Sequence, residues 1–233
     1  MKKTGIIILS RYNSNRLPGK ALIEINGITL LGNIVKNVEE NFPHIDCIVA
    51  TSNHKSDDKI QRYCEMNFSK CYRGSLDNVA KRFLDCSVSL NLDYAIRING
   101  DNFFLDINLL KDMIKKINTG EYDFISNVPG RTFPFGMSIE IVKTNFYKRV
   151  YKKINTIYDK EHVTSWLYNN QNYGSRYYYT NEKYKNLKDL KVSIDEQSDL
   201  DFVKKIIAFN NNKNNISLES LSKLKDKILS HHN

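Results

Sequence analysis

Long apolar runs are missing from this chain of 233 residues. No segment approaches the ~18 consecutive apolar residues of a membrane span, and the first apolar stretch, Gly5 to Leu9, is too brief for the core of a secretory leader. A cytoplasmic protein without membrane insertion is therefore expected. Cysteine is scarce as well. Cys47, Cys64, Cys71 and Cys86 fall at irregular spacings, with no C-x-x-C pair and no histidine placed to complete a zinc site, so reduced, mostly buried thiols are expected rather than disulfides or a structural metal. Two nucleotide signatures are also absent. There is no G-x-G-x-x-G, and Gly19-Lys20 is followed by Ala21 with Ser14 in the place of the first glycine, which rules out a dinucleotide Rossmann site and a Walker A loop. Neither an internal repeat nor a low-complexity domain is visible.

What is present suits one generous α/β domain spanning 1–233. The chain is 41% hydrophobic and 26% charged, which is enough apolar material for a proper core. The formal charge of +9 fits nucleic acid, an anionic surface or a phosphorylated small molecule, and its distribution separates these. In the C-terminal half lysines alternate with asparagines and acids, as a solvated face does. From Ser10 to Lys20 the chain carries Arg11, Arg16 and Lys20 with no acid at all, so an anion is expected there.

Periodicity gives alternating units. Thr4 to Leu9 reads as a strand buried on both faces, Ile28 to Glu40 as a helix, Ile45 to Thr51 as a strand, and Ser56 to Asn67 as a helix capped by Ser56. Strand Lys70 to Tyr72, helix Leu76 to Leu90, strand Tyr94 to Asn99 and helix Ile107 to Ile117 continue the alternation. Beyond them a strand is expected at Tyr122 to Ser126, a hairpin around Phe133 to Val142, and helices at Asn145 to Lys152 and Glu161 to Asn169. Strands near Arg176 to Thr180 and Lys191 to Ile194 follow, then helices Ser198 to Phe209 and Leu218 to Leu229. The expected fold is α/β: an open, mainly parallel sheet with helices on both faces, whose ligands bind beyond the carboxyl ends of the strands. A hairpin region is expected to protrude at about 133–158, and 211–233 would form a C-terminal linker and helix.

The loop Ser10 to Lys20 leaves the carboxyl end of the first strand, where its cations and free amides can cradle phosphate. Its sequence, R-Y-x-S-x-R-L-P-G-K from Arg11 to Lys20, resembles the CTP-binding signature of the CMP-Kdo synthetases and the SpsF-like cytidylyltransferases. The likeness continues through Ala50-Thr51-Ser52, Arg73 to Val79, Arg97 to Asp101, Phe133 to Glu140, Glu161 to Thr164 and Val192 to Asp195, and so extends from Ile6 to about Ile207.

The resemblance implies a glycosyltransferase-A-like nucleotidyltransferase with a nucleotide-binding sheet, a homodimer whose 133–158 region serves dimerisation and the acceptor, that joins CMP from CTP to a sugar or sugar-acid acceptor in glycan synthesis. It makes Ser10, Arg11, Arg16 and Lys20 phosphate contacts, with Arg73, Ser75, Asn78 and Gly100 also at the nucleotide. Asp101 and Asp195 become ligands of Mg2+; Arg11 and Lys20 join them as catalytic groups. Gly136, Ser138, Glu140, Glu161 and His162 fall on the acceptor side. Helix capping accounts for Ser75 equally well, and a structural role for His162.

Three departures stand out. Glu196-Gln197-Ser198 follows Asp195 where the family has threonine and proline, Asn102-Phe103-Phe104 replaces C-P-L or E-P-L, and Ser138 stands where the family has aspartate. The alternatives are a GT-A-like glycosyltransferase using a finished nucleotide sugar, for which Asp101-Asn102-Phe103 lacks the usual D-x-D, and a basic nucleic-acid or polyanion-binding protein. Alternation in a strand and packing under a helix explain Tyr177, Tyr178, Tyr179 and Trp166 without base stacking, so no nucleic-acid partner is expected.

Overall fold

The computed structural model describes residues 2–230. Residues 231–233, at the end of the expected C-terminal segment, lie outside the described residues. A seven-stranded sheet runs in the order β5-β4-β1-β6-β8-β7-β9. Its strands are β1 (Thr4–Leu9), β4 (Asp46–Ser52), β5 (Lys70–Gly74), β6 (Tyr94–Asn99), β7 (Phe124–Ser126), β8 (Glu140–Lys143) and β9 (Arg176–Tyr178), while β2 (Glu24–Ile25) and β3 (Ile28–Thr29) pair separately. β1 pairs in parallel with both β4 and β6, and β4 with β5; β8 lies antiparallel between β6 and β7. The open α/β sheet expected from the alternation of apolar runs is the architecture found.

Helices cover both faces. Period-2 alternation in β1 sends Ile6 and Ile8 into one apolar cluster and Ile7 and Leu9 into the other, which is why the run is continuously apolar. The first cluster takes its helical residues from α1 (Leu30–Asn41), α2 (Asp58–Met66), α4 (Ile107–Ile117), α8 (Gln197–Phe209) and α9 (Leu218–Ser230). The second packs α3 (Val79–Ser89), α5 (Thr144–Tyr151) and α7 (Ser165–Asn169) on the opposite face; the short α6 (Ile157–Glu161) packs beside α3. Local caps set several boundaries: Thr29 accepts from Gly32 N to start α1, Asn78 from Lys81 N to start α3, and Asp106 from Leu109 N to start α4, each satisfying an otherwise orphaned helix donor. Among the described residues no helix is long and apolar enough to cross a membrane, and Cys47, Cys64 and Cys86 are buried free thiols with Cys71 partly covered.

The structure corrects four local expectations. Ser56 does not cap α2; it lies in a 3-10 turn, and the His54 ring accepts from its N–H instead. The stretch around Phe133 to Val142 is not a projecting hairpin. Phe133, Met137 and Ile139 are buried, and Glu140–Lys143 enters the middle of the sheet, because its apolar alternation matches the pleat between β6 and β7. Lys191 to Ile194 is extended but makes only one bridge, from Lys191 to Phe135. The helix expected over Glu161 to Asn169 divides into α6 and α7 at His162 to Thr164.

Gly136 permits that bridge. It has φ +95°, and a Cβ there would stand 2.2 Å from Ser193 N. Gly27 also has a left-handed φ, +78°, but nothing lies within 4 Å of its missing side chain. Gly27→Ala should therefore cost about 1–2 kcal/mol from conformation alone, whereas Gly136→Ala should cost about 2–4 kcal/mol from conformation plus overlap. Urea denaturation of both variants measures the difference, and equal losses would show that the Gly136 approach is not tight.

Candidate active site

Three chain segments converge at the carboxyl edge of the sheet. The first is the loop after β1. Asp57, wholly buried, accepts from Tyr12 N at 2.7 Å and from Ser52 N at 3.0 Å, and also takes a hydrogen bond from the Ser52 hydroxyl. Gly19 N donates to Tyr12 O at 3.0 Å, so the loop folds back on itself and aims its cations over the sheet. The second segment is the end of β6, where Gly100 N donates to Leu9 O at 2.8 Å. A Cβ on Gly100 would come within 2.8 Å of both that oxygen and the Ser10 Cβ, so glycine allows the two strand ends to touch and sets Asp101 beside the loop. The third is 190–195, held by Phe135 N to Leu190 O, Val192 N to Phe135 O and Ile194 N to Asp101 O at 2.8, 2.7 and 3.1 Å.

These segments meet at Lys20. Its Nζ donates to Asp195 Oδ1 at 3.1 Å, Ile194 O at 2.8 Å and Asp101 Oδ2 at 3.4 Å. Arg16 reaches the same Asp195 oxygen at 3.1 Å, and Lys191 its other oxygen at 3.3 Å. Burial alone would raise the Asp195 carboxyl, but Lys20 and Lys191 outweigh it and hold the group below its ordinary value. Asp199 accepts from the N–H groups of Asp195 and Glu196 and from Lys191 Nζ at 2.6 Å, closing a capping box with Glu196 at the start of α8. Glu196 thus ends the extended segment directly after Asp195 and starts α8.

A cavity of about 430 Å³ opens beside this cluster, lined by Ser10, Arg11, Arg16, Lys20, Arg82, Arg97, Gly100, Asp101, Glu161, His162 and Asp195 among others. Arg11 pairs with Glu161 at 3.2 Å across its mouth. A second cavity of about 300 Å³ shares Arg97, Asn99 and His162 with the first and adds Arg131, Ser138, Glu140, Thr164 and Tyr168. His162 packs against the Tyr158 ring, 4.3 Å between centroids.

Three residues expected at the nucleotide do not line the first cavity. The Arg73 guanidinium is engaged by Ser52 O, His54 O, Gln61 and Asp58, which ties β5 to the end of β4 and to α2. Ser75 Oγ accepts from Asn78 N, and Asn78 caps α3 while its amide donates to Tyr151, so these two hold the β5–α3 turn. Gly136 acts through backbone packing, while Ser138 does line the second cavity. Sequence reasoning missed Asp57, Arg82, Lys191 and Asp199. The Glu196 to Asp199 spacing was a capping signal, and Arg82 falls on the apolar stripe of Val79, Phe83 and Cys86, where a charge is conspicuous.

Cations converge on paired carboxylates at the carboxyl edge of a mainly parallel sheet, beside a cavity of about 430 Å³, an arrangement suited to a nucleotidyltransferase. Comparison with known proteins makes the class specific: the cytidylyltransferase family profile matches residues 5–227, and the chain belongs to that family as a CTP-dependent enzyme. It is 32% identical over 171 residues to the spore coat polysaccharide biosynthesis protein SpsF of Bacillus subtilis, covering 70% of this chain and 69% of that one. An uncharacterized protein of Methanocaldococcus jannaschii is 28% identical over 199 residues, 85% of this chain and 80% of its own. A cytidylyltransferase from Leptospira borgpetersenii superposes with a TM-score of 0.88 at 26% identity, covering 97% and 95% of the two chains. A CMP-2-keto-3-deoxy-manno-octonic acid synthetase solved with CTP shares the fold at a TM-score of 0.66 and 14% identity, over 88% and 98%.

Between the two cavities lies a buried pair. Glu140, 2% exposed, meets Arg97 through a side-chain ion pair and accepts from Thr164 Oγ1 at 2.6 Å and from the Tyr168 hydroxyl. Removing one charge of such a pair strands the other. Glu140→Gln should therefore destabilise the protein by about 3–5 kcal/mol, and adding Arg97→Met should restore part of the loss. Urea midpoints of the single and double variants measure this, and a Glu140→Gln protein as stable as the parent would show that the pair carries no such constraint.

Proposed function

We propose that the protein transfers CMP from CTP to a sugar or sugar-acid acceptor and releases pyrophosphate, in the synthesis of a surface polysaccharide or related glycan. The observation that carries the reading is the single ammonium of Lys20 bridging Asp101 and Asp195 in a cavity whose lining also includes Arg11, Arg16, Arg82 and Arg97. SpsF supports the sugar-related direction, and the adjoining second cavity gives a separate place for an acceptor.

In this reading Arg11, Arg16 and Lys20 bind the triphosphate and offset charge that grows on the departing pyrophosphate. Ser10 and Gly100 keep the floor of the cavity open to the phosphates, and Ser138, Glu161 and His162 border the acceptor. The acceptor oxygen attacks the α-phosphorus, the bond from that phosphorus to the bridging oxygen of the β-phosphate breaks, and no protein nucleophile takes part. Asp101 and Asp195 fit a hard divalent cation, because two carboxylates already converge on one positive charge. They would hold Mg2+, which supplies charge neutralisation at the phosphates. A second copy of the chain would pack at Ile157 and Tyr158, 84% and 62% exposed, within the 133–158 region.

A thermal-shift panel of the four nucleoside triphosphates with magnesium should single out CTP, and pyrophosphate release should then require a sugar or sugar-acid acceptor. Asp101→Ala, folded by circular dichroism, should release pyrophosphate at least about 100-fold more slowly. Parent-level turnover by that variant would remove Asp101 from the chemistry, and a larger shift with another nucleotide would overturn the base assignment.

A further inference from the structure

Two cations in the first cavity lie outside the signature loop, Arg82 and Arg97, and Arg97 is paired with Glu140. Arg82 projects from α3 and is 2% exposed. Its Nη1 donates to Ser75 O at 2.9 Å, and its Nε meets no hydrogen-bond partner. The other cations lining the cavity are each matched by a carboxylate: Arg11 by Glu161, Arg16 by Asp195, Lys20 by Asp101 and Asp195, and Arg97 by Glu140. Among the described residues Arg82 forms no ion pair.

A buried guanidinium without a counter-ion is expensive to keep. Desolvation penalises its charged form, and folded proteins either pair such a group or leave it where a ligand supplies the missing charge. The stem of Arg82 packs on Gly74, where an added Cβ would lie 2.9 Å from the Arg82 Cγ. Asp57 and Glu161 act on its charge without forming an ion pair, so among the described residues Arg82 is held at the cavity wall by this packing and by Ser75 O rather than by a direct carboxylate contact.

We infer that Arg82 is a phosphate-binding residue of the nucleotide site, completed by an anionic oxygen of the bound triphosphate. The inference rests on the proposed use of a nucleoside triphosphate. Its role differs from that of the loop cations: Arg11 and Arg16 are 47% and 63% exposed in their side chains and can follow the ligand, whereas Arg82 gives the site a fixed, dehydrated positive charge before the ligand arrives. Fixed charge in a water-poor setting binds phosphate more strongly than a mobile surface cation does.

The test exploits opposite effects on stability and affinity. Replacing an unpaired buried charge by an apolar side chain of similar length should leave the melting temperature of the ligand-free protein unchanged or raised. R82M should at the same time bind both CTP and inorganic pyrophosphate at least tenfold more weakly by titration calorimetry, and R82K, which keeps the charge, should recover part of the loss. An R82M protein that fails to fold, or melts well below the parent, would make Arg82 a structural tie to Ser75 and overturn the inference. Unchanged CTP and pyrophosphate affinity in R82M would also overturn it, including when the acceptor KM rises, which would assign the charge to the acceptor. The pyrophosphate arm keeps this question separate from the base: a parent protein that binds pyrophosphate but not CTP refutes the cytidylyltransferase reading while still reporting on Arg82.

Discussion

The contact between Lys20 and two aspartates organises the site because it joins segments that no secondary structure connects. Lys20 ends the loop after β1, Asp101 follows β6, and Asp195 ends the stretch that leads into α8. An ammonium has three donors, and here they are directed at Asp101, Asp195 and Ile194 O. With the Lys20 side chain 16% exposed, these interactions are screened less than surface ion pairs. Asp195 meets Arg16 and Lys191 as well as Lys20, so the positions of three cations are tied to one carboxylate. In the proposed function an anion bound in the cavity would compete with Asp101 and Asp195 for the Lys20 ammonium.

That contact is possible only because the backbone supports it on each side. Asp57 fastens the loop at Tyr12 and the end of β4 at Ser52 with one buried carboxylate, Gly100 lets the ends of β1 and β6 approach, and the Gly136 turn aligns 190–195. Their common effect is to fix the backbone from which the lysine and arginine stems project, which lowers the side-chain freedom left to lose on binding.

Much of this architecture was legible in the sequence, for identifiable reasons. β1, β6 and α4 match the residues expected from periodicity, because two-sided burial and a capping aspartate leave strong local signals. The segment 133–142 was harder. Its alternation signals a strand, but nothing local tells that Glu140–Lys143 inserts between β6 and β7 instead of pairing with its own neighbours. The signature loop and the motifs ending at Asp101 and Asp195 point to residues that the structure brings together, whereas the motif from Arg73 to Val79 gives no local sign that Arg73, Ser75 and Asn78 lie outside the lining of the first cavity. Their hydrogen bonds go to His54 O, Tyr151 and the first turn of α3, partners that are remote in sequence or indistinguishable from ordinary capping. Asp57 and Arg82 share the first difficulty: what defines each is burial and the presence or absence of a distant partner.

The two cavities add a further constraint, since Arg97 borders both but is already neutralised by Glu140, which lines the second. Thr164 and Tyr168 also donate to Glu140, so the wall between the cavities is a polar network with little freedom to reorganise. Its polarity is asymmetric. On the side of the first cavity the wall continues into Arg82 and the cations of the loop, whereas on the side of the second it presents the hydroxyl of Ser138, a group that can both donate and accept. Among the described residues Glu140 is the one carboxylate lining the second cavity, and its charge is matched by Arg97. If the second cavity takes the acceptor, as in the proposed function, an acceptor with a negative group of its own would meet no unmatched carboxylate there.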